Sequence, residues 1–470
     1  MVQGPDICSC SKSKGGSFVS TTIGIVSIII AFALLIVLSY KGMSVMYVAP
    51  LCALFVALVN GMSLLDAITG PFMGGTTGFI SGLLPIFLLS ILMGRVYVES
   101  GAAVNIARTL MNALAKNASG PRKQTIAVYI CIAVSWIMCF GGIDTFCALF
   151  TLFPVMLTIC AEANIPRKYL IGLITCGVST AALTPGAPLV TNYTPMNILG
   201  TSSAAGLIPG LAAVAVMLLG GGIYLSKSIH RSTARGEVFD YGTVAFEPPV
   251  EGRKYPPFLF SLLPLVLVVL AFNFVGIIPP LAALQGNLIF ALGLGFVLAL
   301  ILLVPYFQSG ETGRGRVLIN TLNEGGRSTA ESMFLGAIVV GFASVVQATP
   351  AYEVMVDGLL SLPIPAPLLV VIATAILVGL TGSPPAGLAI VVPVLAANLD
   401  LAPEAIHRIA TTAATTFDTL PFQGAVIIML NMAGLKHKDG YPPVMMCTVV
   451  WTMVASLVAA LLFTLFPGLA

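Results

Sequence analysis

The sequence predicts an all-α polytopic membrane protein with two inverted repeats, about ten transmembrane crossings and two re-entrant hairpins. Of the 470 residues, 58% are apolar and only 8% are charged, a composition that excludes an ordinary soluble globule. Apolar stretches long enough to cross a hydrocarbon core of about 30 Å recur along the chain. The alternation at period 2 that is typical of an outer-membrane barrel is absent. The same order of apolar and broken segments also recurs in the two halves.

Ten segments have the length and composition of a crossing: 20–39, 45–61, 72–97, 168–197, 206–226, 257–277, 286–306, 328–347, 405–433 and 443–466. Two further apolar blocks, 125–160 and 366–397, are too long for one helix and carry Gly or Pro near their centres. We therefore predict that each forms a hairpin that enters and leaves the membrane on the same side.

The basic residues set the orientation, because cytoplasmic loops collect Lys and Arg. With the amino terminus outside, 18 of the 21 basic residues fall in inner segments, and the exceptions are Lys12, Lys14 and Arg408. In this topology His407 starts a span at the outer face, where we expect its side chain to be solvated or interfacial. No basic side chain is then expected deep in the membrane segments.

The chain divides into a polar tail (1–19), a first repeat (20–226), a cytoplasmic linker (227–256) and a second repeat (257–470). Each repeat holds one hairpin, 125–160 or 366–397, and one broken span, 168–197 or 405–433. Each repeat contains five crossings. Because this number is odd, the second repeat enters the membrane upside down relative to the first.

The hairpins and broken spans are the predicted substrate site. Backbone interrupted by Gly142, Pro185 or Pro188 would leave peptide groups unpaired if it faced lipid, so it is expected to line a cavity. Helix ends directed at such a cavity favour an anion. The predicted substrate-binding residues are Gly142, Thr145, Thr184, Pro185, Gly186, Asn192, Thr194, Thr381, Gly382, Ser383, Thr419 and Gln423.

Two acidic residues, Asp144 and Asp418, are placed deep in membrane segments, one at the first hairpin tip and one in the second broken span. A charged acid there costs at least a few kcal/mol, about 2.5–3.5 on insertion scales. We predict that both couple transport to a cation, although an Asp can also cap a half-helix. The sequence carries no metal-ligand cluster, nucleophile-and-base motif or phosphate-binding loop. It therefore predicts no metal, no cofactor, no nucleic-acid partner and no enzyme activity.

Short motifs in both halves resemble the gluconate permease (GntP-type) family of the ion transporter superfamily. In the first half these are Ser100-Gly101-Ala102-Ala103 followed by Ile106-Ala107 and Leu110, then Phe140 to Phe146, Pro154, Ala163-Asn164-Ile165-Pro166 and Thr184-Pro185-Gly186-Ala187-Pro188. In the second half they are Gly382-Ser383 and Phe417-Asp418-Thr419 through Phe422. The family's His in the first broken span and its Asn before the Asp are replaced here by other residues.

The resemblance implies proton-coupled uptake of sugar acids or hydroxy-carboxylates by a scaffold and a mobile, elevator-type transport domain, and it supports a homodimer. The sequence thus predicts a symporter of a small organic anion in the cell (inner or plasma) membrane, coupled to H⁺ or less favourably to Na⁺. A cation/proton antiporter without an organic substrate is the alternative. A channel is disfavoured, because paired hairpins in inverted repeats suit alternating access.

Overall fold

The computed structural model describes residues 21–40, 43–143, 145–240, 242, 253–308, 313–381, 383–421 and 424–469. The first half contains helices α1 (Thr21–Tyr40), α2 (Val45–Val59), α3 (Leu64–Ser100), α4 (Ala102–Leu114), α5 (Gly120–Phe140), α6 (Thr145–Glu162), α7 (Leu170–Leu183), α8 (Val190–Leu199) and α9 (Leu207–Ala234). The second half contains α10 (Phe258–Phe274), α11 (Leu288–Leu303), α12 (Arg314–Gln347), α13 (Pro350–Leu360), α14 (Ala366–Thr381), α15 (Pro384–Asn398), α16 (Pro403–Ala413), α17 (Gly424–Met432) and α18 (His437–Leu465).

The protein is an all-helical, multi-pass membrane protein, as the sequence predicts. Within the described residues, seven helices are long and apolar enough to cross a membrane, namely α3, α5, α9, α10, α11, α12 and α18. Helices α1, α2, α14 and α15 are apolar but shorter. No β-strand occurs in the described part of the chain.

The two halves repeat both the order of their helices and the way these helices pack. Helix α2 packs against α12 as α11 packs against α3, and α1 packs against α13 as α10 packs against α4. Helices α3 and α12, which hold equivalent places in the two halves, form the most extensive contact in the fold. Such reciprocal packing is what a two-fold relation between the halves produces.

Small residues let α3 and α12 approach closely. A Cβ atom at Gly341 of α12 would lie 2.3 Å from Thr76 Oγ1 and 2.8 Å from the Phe72 carbonyl oxygen. Close helix packing in membranes commonly uses such small residues. At one end of the contact, Arg95 forms an ion pair with Glu324 at 3.5 Å and donates to Ser328 Oγ at 2.7 Å.

Tight packing also fixes helix α7, which leads into the first interruption. A Cβ atom at Gly177 would lie 2.5 Å from the Ile132 carbonyl oxygen of α5, and one at Gly172 would lie 2.7 Å from Pro443 Cβ of α18. Helix α7 is therefore held between the first hairpin and the second half of the chain. Every residue from 170 to 190 is buried.

The segment that follows α9 packs against the start of α7. Helix α9 continues to Ala234, so the beginning of the region expected as a linker is helical. Lys168 Nζ lies 2.5 Å from Glu237 Oε2, and Arg167 Nη2 lies 3.2 Å from Asp240 Oδ1. The hydrogen bond from Lys168 lowers the pKa of the Glu237 carboxyl below its ordinary value. The predicted tail (1–19) lies outside the described residues.

Candidate functional site

The first interrupted helix breaks between α7 and α8, at residues 184–189. Thr184 ends α7 in an extended conformation, and its Oγ1 donates to the Thr180 carbonyl at 2.7 Å and accepts from Trp136 Nε1 at 3.0 Å. Gly186 has φ +77°, which favours glycine, and a Cβ there would lie 3.1 Å from Asn273 Oδ1. Pro185 therefore ends the helix because it has no backbone N–H to donate. Gly186, in a left-handed conformation, then turns the chain away from the helix.

The protein itself satisfies the backbone of this break. The amide of Gly186 donates to the Ser203 carbonyl at 3.0 Å, and Asn273 Nδ2 donates to the Gly186 carbonyl at 2.9 Å. Ser203 Oγ in turn donates to Asn273 Oδ1 at 2.7 Å. Irregular backbone is thus kept inside the protein and away from lipid, as membrane burial requires.

A buried polar network, which we call the Asn192 cluster, joins this break to helix α16. It consists of Asn192, Ser203, Asn273, His407 and Arg408. Asn192 Nδ2 donates to the Ala187 carbonyl at 3.2 Å and the Ser203 carbonyl at 3.0 Å, so its Oδ1 must be the atom that faces α16. His407 Nε2 therefore donates to Asn192 Oδ1 at 3.0 Å, which leaves Nδ1 to accept from Thr201 Oγ1 at 2.6 Å.

The expectation that His407 is solvated or interfacial is wrong. His407 and Arg408 are both 0% exposed. Arg408 Nε donates to the Ala205 carbonyl at 2.7 Å, and its Nη2 lies 3.3 Å from the Ser203 carbonyl and 3.4 Å from Asn192 Oδ1. Its Nη1 is buried and has no hydrogen-bond partner among the described residues.

Glycines make room for the Arg408 side chain. A Cβ atom at Gly206 would lie 2.6 Å from Arg408 Cβ, and one at Gly210 would lie 3.0 Å from Arg408 Cδ and 2.4 Å from Pro185 Cγ. Gly206 also has φ +59°. The stem of Arg408 and the ring of Pro185 therefore pack directly on the start of α9, which ties the break to both halves of the chain.

Helix α8 carries two further polar groups without partners. Thr191 Oγ1 and Thr194 Oγ1 are buried and accept or donate no hydrogen bond within the described part of the chain. Their spacing of three residues places them on one face of α8. The Thr411 hydroxyl of α16 donates to the Thr191 carbonyl at 3.4 Å, so α16 lies against the first turn of α8.

The second interrupted helix breaks between α16 and α17. Asp418 Oδ1 is buried and has no hydrogen-bond partner among the described residues. Beside it, the hydroxyls of Thr419 and Thr448 are hydrogen-bonded to each other, and His437 Nε2 donates to the Pro421 carbonyl at 3.0 Å. This break is more open than the first, because residues 417–421 are partly exposed whereas 181–190 are buried.

Each hairpin lies beside the break of its own repeat. Ser90 Oγ donates to the Gly142 carbonyl at 2.7 Å, and a Cβ at Gly142 would lie 3.8 Å from Pro188 Cγ of the first break. In the second half, a Cβ at Gly379 of α14 would lie 2.9 Å from Phe417 Cβ. Thr381 Oγ1 donates to the carbonyls of Val378 and Ser383, each at 3.2 Å, and Ser383 begins α15.

The structure brings some of the predicted site residues together and separates others. Asn192 belongs to the Asn192 cluster, and Gly186 is hydrogen-bonded to two of its members, Ser203 and Asn273. Thr184 and Pro185 precede Gly186 in the chain. No hydrogen bond among the described residues joins Asp418 to that cluster. Asp144, Gly382 and Gln423 lie outside the described residues, and so does the side chain of Thr145, which begins α6.

Sequence reasoning missed His407, Arg408, Ser203 and Asn273. One signal was available for Arg408, because it is the single basic residue beyond the tail that departs from the positive-inside pattern. An Arg that breaks this pattern at the start of an apolar span is expected to be held inside the protein.

A cavity of about 640 Å³ lies next to the first break, between α4, α5, α7 and α9. Its lining includes Leu110, Tyr129, Trp136, Thr180 and Leu218. An anion is not expected here, since almost all of the lining is apolar and charges avoid such surroundings.

Comparison with known proteins points to membrane transport. No protein-family model matches the chain. An uncharacterized transporter of Bacillus subtilis (strain 168), YxjC, is 27% identical over 476 residues, which cover 93% of this chain and 98% of YxjC. Among solved structures, the YdaH transporter of Alcanivorax borkumensis, described as having an unusual topology, matches with a TM-score of 0.52 and 14% identity over 95% of this chain and 98% of YdaH. The chain therefore shares its fold with a transporter, and the comparisons support a membrane transporter that acts on a small molecule.

Proposed function

We propose that the protein is a secondary active transporter that moves a small organic anion together with protons, by an elevator-type displacement. The observation that carries the proposal is the pair of interrupted helices, α7–α8 and α16–α17, which place free helix ends and polar side chains inside the protein. Interrupted helices of this kind form the substrate sites of many secondary transporters. Sugar acids and hydroxy-carboxylates are the first substrates to test, because of the resemblance to gluconate permeases.

Alternating access is supported by a difference between the two repeats. The hairpin and break of the first repeat are closed, since residues 141–143 and 181–190 are all buried. The equivalent parts of the second repeat, 383–385 and 417–421, are partly exposed. In a carrier built from inverted repeats, the inward-facing and outward-facing states interconvert when the two repeats exchange these environments.

Proton coupling is assigned to Asp418. One of its carboxyl oxygens, Oδ1, is buried and has no partner in the described part of the chain. A buried carboxylate without a counter-ion is strongly disfavoured, so the site favours a bound proton or cation. Na⁺ is the second choice for the coupling ion.

Uptake by proteoliposomes tests this function. Purified protein is reconstituted and supplied with labelled gluconate, glycerate or lactate under an inward proton gradient. We expect at least one of them to accumulate, and a protonophore to abolish the accumulation. The Asp418→Asn variant should lose accumulation but retain exchange of labelled for unlabelled substrate, whereas Asp400→Asn, on an exposed loop, should behave as wild type.

A cation/proton antiporter is the second candidate, because Asp418 alone could serve such a reaction. That function requires proton movement in response to Na⁺ or K⁺ without any organic acid. Proton movement of this kind, together with no accumulation of any of the three acids, would replace the proposed function by the antiporter.

A further inference from the structure

The strongest unexplained feature of the molecule is a buried guanidinium group without an acidic partner. Arg408 is fully enclosed, and none of the ion pairs among the described residues includes it. A charged group in such a place is costly unless it is paired with an opposite charge and its donors are all used. The described residues supply it only with neutral carbonyl and amide oxygens.

The hydrogen bonds of Arg408 stop short of one end of the guanidinium. Arginine carries five N–H donors in a planar fork. Its Nε and Nη2 are held by the Ala205 carbonyl, the Ser203 carbonyl and Asn192 Oδ1. These contacts fix the plane of the group and leave both hydrogens of Nη1 without an acceptor among the residues that the structure describes.

The surroundings have the chemistry of a binding subsite. Through Asn192, Arg408 touches the first turn of helix α8. That helix, α8, begins at Val190 inside the protein, so its amino-terminal dipole adds positive potential. One unsatisfied cationic donor beside a helix amino terminus matches a carboxylate.

We propose that Arg408 binds the carboxylate of the transported anion through Nη1. This inference rests on the proposed function and deepens it, since it assigns the charge recognition to one residue of α16. Asn192 acts as a positioning residue, because its Oδ1 accepts from Arg408 Nη2, and His407 in turn holds Asn192.

The test compares each acid with its neutral amide: gluconate with gluconamide, glycerate with glyceramide and lactate with lactamide. Binding is measured on purified wild-type protein and on the Arg408→Gln variant. A hydrogen bond to a charged group contributes about 1.5–3 kcal/mol, or about a 10- to 100-fold preference. Wild type should prefer the acid by that factor, and Arg408→Gln should reduce the preference to about one while changing amide binding only a few-fold.

The ratio of acid affinity to amide affinity distinguishes recognition of the carboxylate from a purely structural role of Arg408. If Arg408 only held the loop at 203–205, its loss would weaken acid and amide equally, and an unchanged ratio would overturn the proposal. Arg316→Gln, at the exposed start of α12, is the control and should keep the wild-type ratio. Wild-type protein that accumulates none of the acids would instead refute the proposed function itself.

A second measurement applies even if Arg408→Gln does not fold. A structure of wild-type protein with the transported acid should place a carboxylate oxygen within hydrogen-bond distance of Arg408 Nη1. A carboxylate bound elsewhere, with Arg408 Nη1 unchanged, would overturn the proposal.

Discussion

Replacing Asn192 by alanine is expected to damage the first break more than any other single amide substitution. Asn192 is 0% exposed, and its side chain makes four hydrogen bonds, two as donor and two as acceptor. It connects the break, at Ala187, and the loop after α8, at Ser203, to helix α16. Removing the amide therefore breaks one connection between the two repeats.

The loss of stability depends on which hydrogen-bond partners of Asn192 would be left without any other hydrogen bond. The Ser203 carbonyl keeps the Gly186 amide and Arg408 Nη2, and Arg408 Nη2 keeps the Ser203 carbonyl. Two buried groups, the Ala187 carbonyl and His407 Nε2, are left unsatisfied. At about 1–3 kcal/mol for each such group, Asn192→Ala should lower the free energy of unfolding by about 2–6 kcal/mol.

Thermal unfolding in detergent, followed by size-exclusion chromatography of heated samples, measures this loss. The control is Asn398→Ala, because Asn398 is exposed and makes one bond, of 2.8 Å, to a carbonyl of its own helix. Exposed substitutions of this kind change stability by about 0.5 kcal/mol or less. We expect Asn192→Ala to unfold several degrees below Asn398→Ala, and equal midpoints would refute the reasoning about the cluster.

Three further predictions concern packing, the break and the linker. Gly210→Ala should be destabilised by about 1–3 kcal/mol through overpacking, whereas Gly293→Ala, with open space around it, should not; equal thermal stability would contradict this. Trp136→Phe removes the donor to the first break, so substrate binding should weaken, and unchanged affinity in a binding assay would show that this bond does not shape the site. For Glu237, the lowered pKa means that its ion pair stabilises the fold at neutral pH and is lost as the pH falls through the folded-state pKa. Glu237→Gln should therefore melt slightly below wild type at pH 7, and this difference should shrink as the pH is lowered; a difference that does not change with pH would refute a contribution from the ion pair.

The fold class follows from the sequence because hydropathy reports directly on membrane insertion. The ends of the long helices cannot be predicted in this way, since α12 begins at Arg314 rather than near residue 328. Residues 314–327 contain charged and polar side chains that a hydropathy pattern rejects, although they continue the same helix. Backbone hydrogen bonding extends a helix beyond its apolar part once tertiary contacts hold it.

The positions of the breaks were also visible in the sequence, because Thr184-Pro185-Gly186 has the residues that end a helix. What lies against a break was not visible. Arg408 reaches Asn192 across 216 positions, and local patterns carry no information about such a pairing. The positive-inside pattern marked Arg408 as an exception, but an outer loop explained the exception equally well.

The most direct test of the central claim is to follow proton movement while the substrate is added. Proteoliposomes containing a pH-sensitive dye are given an inward proton gradient, and then gluconate, glycerate or lactate. Proton-coupled transport predicts that the interior acidifies when one of these acids is added, but not when its amide is added, and not with Asp418→Asn. A change of internal pH that appears with Na⁺ or K⁺ alone and does not depend on the organic acids would contradict the claim.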